Sequence, residues 1–385
     1  MRVPPFALER FQSLHEHQVE INLSESGVEP LDIGELLDAN GRDTLLSERL
    51  GYPQTNGTPA LRAAIAATLP GAARDEVLVT NGGAEANFVA CWRLIEPGDE
   101  VVVMQPNYGQ VRGLAEGFGA IVRPWPLREE RSGARPRWAP DLDELRELVT
   151  DRTKLVAVCN PNNPTGARLT EAEVAAVCEV AGRHGAWVLS DEIYRGVERD
   201  GVETPTAWGR TERVIVTGGL SKAYGLPGLR IGWAVTARPM AADLWSRRDY
   251  TTIAPGALSD RLARHALAPE RRALLLARAR RQIAGNCRLV SDWVEGHAAG
   301  LTWVPPEAGA MAFVRYGNAV GSTVLADRLR ETEGVLIVPG DHFGMDGYLR
   351  IGFGGRAESL RAGLARLDRV LPVAPEPAVR SPAGA

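Results

Sequence analysis

Six short β-branched runs, EVLVT, VVVMQP, KLVAVCN, AWVLSD, RVIVTG and IGWAV, alternate with helical stretches between residues 76 and 235. Strands interleaved with helices in this way predict a mainly parallel sheet covered by helices on both faces, an α/β architecture. The helix after VLVTNGG carries Phe88, Cys91, Trp92 and Ile95 at spacing i, i+3, i+4, i+7, which predicts its buried stripe, and it stops before Pro97-Gly98. A second helix opens on Thr170 and Glu173 as a capping box, ends at Gly185, and sets Val174, Val177, Cys178 and Ala181 on one face. Beyond about residue 260 the texture changes to arginine-rich helical sequence, RRALLLARARRQIAGNCRLVSDWVEG, then a strand-like hairpin region and a last helix. That change predicts a second, smaller α+β lobe. The tail from Pro372 is Pro/Ala-rich and is expected to be disordered.

Composition narrows the function. With 385 residues, 44% hydrophobic and 24% charged, the chain is long enough for two lobes and too long for one small domain. A formal net charge of -4, with arginines dispersed among carboxylates, gives no reason to expect nucleic acid or an anionic membrane as partner. Cys91, Cys159, Cys178 and Cys287 are widely separated and have neither CxxC nor Cys/His spacing, so free buried thiols and no metal are expected. There is no membrane-length apolar stretch and the start MRVPPFALERF has no secretion-signal plan, so a cytoplasmic protein is expected.

Only two of the 44 basic residues are lysines, Lys154 and Lys222. Arginine keeps its proton near neutral pH, whereas a partly desolvated lysine can lose it, and only a neutral amine attacks a carbonyl. Lys154 opens the apolar run LVAV, where a charged strand end is ordinary. Lys222 lies in a Ser/Gly/Pro-rich loop with Arg230 eight positions on, which makes it the candidate nucleophile. Gly82-Gly83-Ala84 joins a strand to a helix, a place where unpaired amides and the helix dipole favour an anion.

The ordered motifs GYPQTNGTPALRAAI, VTNGGAEANF, NPNNPTG, VLSDEIY, SKAYGLPGLRIGW and YLRIGF resemble those of fold type I pyridoxal-phosphate (PLP) enzymes of the class I/II aminotransferase group, over roughly residues 20 to 370. The resemblance implies an aspartate aminotransferase-like fold. Its large PLP domain would span 41–275 and its small domain 1–40 with 276–371. It also implies roles. Lys222 would hold PLP and then act as general base and acid. Asp191 would keep the ring nitrogen protonated, and Asn163 and Tyr194 would bind the ring oxygen. Gly83, Ala84, Ser221 and Arg230 would take the phosphate, with Tyr52 reaching the phosphate of a neighbouring subunit in a homodimer, and Tyr108 would lie over the ring. Arg350 would clamp the substrate carboxylate, with Gly27, Asn163 and Glu25 beside it. Where many relatives carry Ser or Thr three positions before the lysine, this chain has Gly219, so that contact is expected to be missing or supplied by Ser221, Thr217 or another residue.

The reaction expected from SDEIY, NPTG and Arg350 is transfer of an amino group between an L-amino acid and a 2-oxo acid. The stretches ESGVEPLDIGELL, RPWPLREE and RDYTTIAPGALSD look similar to capreomycidine synthase-like enzymes, which implies the alternative of dehydrating and cyclising a hydroxylated arginine. A non-catalytic regulator would need a fused DNA-binding region, for which nothing before residue 20 is long enough. A dinucleotide enzyme would need G-x-G-x-x-G after a strand, which is absent.

Overall fold

The computed structural model describes residues 3–131, 135–297, 300–317 and 320–371, and the tail from Pro372 lies outside the described residues. All six apolar runs are strands of one eight-stranded sheet. Its order is Val77–Thr80, Gly232–Thr236, Val214–Gly219, Trp187–Asp191, Thr153–Cys159, Glu100–Gln105, Ile121–Glu130, Arg137–Pro140. Gly232–Thr236 and Arg137–Pro140 run against the other strands. Side chains alternate across the pleat, so each strand feeds two cores. Leu78, Val101, Val103, Leu155 and Leu189 pack on one face, while Val79, Val102, Met104, Val156 and Val188 pack on the other. Burial on both faces is why these runs read as unbroken apolar sequence.

Two strands carried no legible alternation. Ile121–Glu130 contains Pro124 and Pro126, which cannot donate to a ladder. Both fall where the strand has one neighbour, because Arg137–Pro140 pairs only with residues 127–130. A missing N–H there leaves no carbonyl unpaired.

The helix Gly83–Leu94 buries Ala86, Val89, Ala90, Cys91 and Leu94. The predicted stripe is therefore wrong at Trp92, which is 37% exposed and packs edge-on to Tyr250. Small residues won the sheet-facing side because they let the helix approach closely. The helix Glu171–Arg183 follows expectation: Thr170 and Glu173 form the capping box, and Gly185 has φ +65°.

The smaller sheet is antiparallel, in the order Thr302–Trp303, Met311–Arg315, Tyr348–Gly352, Val338–Pro339. The early strand Ile21–Asn22 pairs parallel with Val335–Leu336, which brings the first residues of the chain back to its end. The helix Pro269–Gly296 buries Leu275, Leu276, Ile283, Cys287 and Val290. The four cysteines are free and buried, and no helix among the described residues is long and apolar enough to cross a membrane.

Candidate active site

Five strands of the large sheet end on the same edge, and the residue that follows or closes each faces one cleft of about 330 Å³. Open α/β sheets bind ligands beyond the carboxyl ends of their strands for this reason. Val77–Thr80 leads to Gly83 and Ala84, Glu100–Gln105 to Tyr108, Thr153–Cys159 to Asn163, Val214–Gly219 to Ser221 and Lys222, and Asp191 closes its own strand. The smaller sheet contributes Arg350, and the N-terminal segment contributes Glu9, Gln12, Glu25 and Ser26. Sequences far apart thus meet within one hydrogen-bonding shell.

At one end of the cleft, Gly82 has φ +81° and opens the helix Gly83–Leu94. A Cβ on Gly82 would stand 2.3 Å from Arg230 Nη2, so only glycine lets the guanidinium come against this turn. Arg230 is itself left-handed, at φ +49°, and donates to Ser221 Oγ at 3.4 Å and to the Pro227 carbonyl at 3.2 Å. Gly219 has a packing reason for lacking a side chain. A Cβ there would meet Ile193 Cδ1 at 2.9 Å and the Ile231 carbonyl at 3.0 Å.

Lys222 Nζ lies 3.5 Å from Glu25 Oε2. The Lys222 charge, opposed by burial and aided by Arg350, holds the Glu25 carboxyl below its ordinary range, so Glu25 is anionic. Gly27 backs this turn rather than lining the cleft: a Cβ would sit 3.2 Å from the Ser221 carbonyl and 3.4 Å from Lys222 Cα. Lys154 sits on the strand Thr153–Cys159 and does not line the cleft.

Burial raises the pKa of Asp191, against hydrogen bonds from Asn87 Nδ2 at 2.9 Å and the Ile193 N–H at 3.1 Å. Among the described residues no cationic side chain pairs with it. Tyr194 donates to Ser26 Oγ at 2.9 Å, and Tyr108 donates to Glu9 Oε1 at 2.6 Å; burial pushes both phenols up. Arg350 donates through Nη1 to Asn163 Oδ1 at 3.0 Å and through Nη2 to the Ser24 carbonyl at 2.5 Å. Burial lowers its pKa, and its Nε has no partner. Tyr52 is 85% exposed and outside this cleft. Sequence reasoning missed Glu9, Ser26 and Asn87, and named Thr217 only as an alternative for the contact lacking at Gly219, whereas its hydroxyl donates to Asn87. The one available signal was Asn87 within VTNGGAEANF, a polar residue in an apolar helix.

Residues 21–367 match the family described as aminotransferase class I and II. The chain belongs to that family. It is 35% identical to capreomycidine synthase of Streptomyces vinaceus, over 96% of this chain and 94% of the relative. It is 31% identical to an arginine–pyruvate transaminase of Pseudomonas aeruginosa, over 84% and 83%. A solved PLP-dependent cyclase superposes with TM-score 0.86 at 30% identity, covering 96% of this chain and 98% of that one. The fold is the aspartate aminotransferase-like one that the motifs implied. The cofactor is pyridoxal 5'-phosphate. The residues fit it: an anion-favouring helix start beside an arginine, an amine, and a desolvated carboxylate with no cation of its own.

Proposed function

We propose that this chain transfers the amino group of a basic, arginine-like L-amino acid to a 2-oxo acid. The carrying observation is that one cleft holds an amine, Lys222, and a buried guanidinium, Arg350, together with two carboxylates, Glu25 and Glu9, the charge complement of a cationic side chain. The identity to an arginine–pyruvate transaminase supports the same substrate class.

When bound, PLP supplies an electron sink for the bond that breaks at the substrate's Cα. In this reading Asp191 would hold its ring nitrogen protonated, Asn163 would donate to its ring oxygen, as would Tyr194 once its hydroxyl turns from Ser26, and Tyr108 would lie over the ring. Gly83, Ala84, Ser221 and Arg230 would bind the phosphate. Arg350 and Asn163 fix the substrate carboxylate, with Gly27 close behind the Lys222 turn, which limits the poses from which a proton can leave. Lys222 would take the α-proton and return it. Glu25 and Glu9 face the substrate's distal cation. The enzyme works in the cytoplasm as a homodimer, with Tyr52 reaching the partner's phosphate site. Residues 41–275 form the large domain and 1–40 with 276–371 the small one.

A second reading is favoured by the cyclase and the capreomycidine synthase among the similar proteins: loss of water from a hydroxylated arginine followed by ring closure. Purified protein is incubated with arginine or 3-hydroxyarginine, with and without 2-oxoglutarate, and the products are weighed by mass spectrometry. Glutamate and an oxo acid, formed only with 2-oxoglutarate, are expected. Loss of 18 mass units from hydroxyarginine without any acceptor would replace transfer with cyclisation. Lys222→Ala is expected to abolish either reaction, and borohydride-trapped cofactor mapping to Lys154 would overturn both.

A further inference from the structure

Asn87 is 2% exposed and carries no charge, yet each polar atom of its side chain is committed. Nδ2 donates to Asp191 Oδ2 at 2.9 Å, with Gln110 Oε1 a weaker second acceptor at 3.4 Å. Oδ1 accepts from Thr217 Oγ1 at 2.8 Å. Thr217 is fully buried on the strand beside Asp191, with which it is in direct register. Gln110 in turn donates to the Ala84 carbonyl at 2.8 Å, so the chain of bonds runs from the start of the helix Gly83–Leu94 to Asp191.

A side-chain amide can rotate by half a turn and keep its shape while exchanging donor for acceptor. Here the Asp191 carboxylate, which can only accept, forbids the exchange: the turned amide would aim its oxygen at it. In the orientation that remains, the Thr217 hydroxyl donates to the amide oxygen. A hydrogen bond from a neutral donor stabilises the ionised carboxylate and leaves its charge intact, whereas an arginine or lysine at the same place would neutralise it. The distinction matters for a carboxylate whose work is to face a cation brought in by a ligand.

We propose that Asn87 and Thr217 form a positioning pair for Asp191: the amide donates to the carboxylate without cancelling its charge, and the threonine hydroxyl anchors the amide oxygen from the neighbouring strand. The inference rests on Asp191 as the partner of the cofactor's ring nitrogen. Removing either group lets Asp191 take up a proton more readily, so the ion pair between Asp191 and the ring nitrogen is lost at a higher pH as the solution is acidified.

The test uses the full-length holoenzyme in five forms: wild type, Asp191→Asn, Asn87→Leu, Thr217→Val and Thr217→Ser. Two quantities are measured besides turnover, the dissociation constant of PLP by fluorescence and the acid-side pH midpoint of its visible absorption. A hydrogen bond to a charged group corresponds to roughly tenfold in an equilibrium constant. Asn87→Leu is expected to weaken PLP binding about tenfold, Thr217→Val somewhat less, and both to move the midpoint upward. Thr217→Ser, which keeps the hydroxyl, is expected to match wild type. Thr217→Val preserves shape, so it carries the test should Asn87→Leu not fold. If Asp191→Asn changes both quantities while Asn87→Leu and Thr217→Val change neither, the positioning pair is wrong and the site stands. If Asp191→Asn also leaves both unchanged, the assignment of Asp191 falls and the inference with it.

Discussion

Arg248 and Arg350 are both withdrawn from solvent, at 0% and 1% exposure, and their surroundings treat the two charges in opposite ways. Arg248 donates through Nε to Glu85 Oε2 at 3.2 Å and through Nη1 to the carbonyls of Thr55 and Ile253. Glu85 also accepts from the Asn81 N–H and from Thr251 and Thr252; these bonds and Arg248 outweigh the upward pull of burial and hold its carboxyl below the usual range. Here the charge is neutralised inside the fold, tying residues 249–256 to the turn that starts the helix Gly83–Leu94. Arg350 has no carboxylate within ion-pair distance among the described residues, only the Asn163 amide and the Ser24 carbonyl. A buried guanidinium with neutral partners has its charge left for an anion to complete, which supports Arg350 as the binding group of the proposed function, whereas Arg248 is neutralised as a structural pair.

The largest effects expected separate these two. Arg248→Met strands Glu85 in a buried position and should lower stability by about 3–5 kcal/mol, read from urea unfolding. Arg350→Met strands no carboxylate and should lower stability less, while kcat/KM for the amino acid falls about 30-fold or more, the consequence of a substrate carboxylate losing roughly 2 kcal/mol or more of charge-assisted bonding. Equal losses of stability, or an Arg350→Met enzyme of normal kcat/KM, would break the comparison.

The same contrast recurs in adjacent carboxylates. Asp191 opens to the cleft, and Glu192 turns away into the protein. Glu192 Oε1 accepts from Ser190, Thr206 and the Ala207 N–H, and Oε2 is buried without a partner. Burial raises the Glu192 carboxyl to about 7. A carboxyl whose folded pKa exceeds its unfolded value binds more protons when folded, so its contribution is lost as pH rises from the unfolded pKa through the folded one, here from 4.5 to about 7. Glu192→Gln, which keeps one acceptor oxygen and cannot ionise, should therefore gain stability relative to wild type at pH 8 compared with pH 5, by up to about 3 kcal/mol. A difference that is the same at both pH values would mean that Glu192 stays ionised in its pocket.

Lys222, Asp191, Asn163 and Arg350 were named from the motifs that carry the family resemblance, and the structure brings the four to one cleft, each on or just beyond a strand. Six strands were legible because burial on both faces leaves an unmistakable β-branched run. What escaped reading depends on distance or on choice between equals. Asn87 and Thr217 are 130 positions apart, and neither residue type implies the other. Glu9 meets Tyr108 across 99 positions, through a short helix whose docking no local pattern specifies. The helix Gly83–Leu94 offers two apolar stripes, and only the closeness of the sheet selects the one with alanines. The strand Ile121–Glu130 hides behind two prolines that a one-sided stretch of sheet tolerates.

The smallest effect expected concerns Glu25, where charge is held in reserve rather than neutralised for good. In the free site its carboxylate faces the Lys222 amine at 3.5 Å and senses Arg350, which keeps it anionic through the neutral range. In the proposed function the Lys222 amine would be engaged by the cofactor, and the carboxylate would be left to meet whatever cation the substrate brings. Arginine and citrulline have nearly the same shape and differ in charge, so their ratio of kcat/KM isolates this contact. More than half of the Glu25 side chain is exposed, and solvent screening limits an ion pair there to about 0.5–1 kcal/mol. Glu25→Gln should therefore lower the preference for arginine over citrulline by only about twofold to fivefold, leaving citrulline turnover nearly unchanged. Equal losses for both substrates would show that Glu25 serves Lys222 alone, and the preference for a basic substrate would then have to come from Glu9.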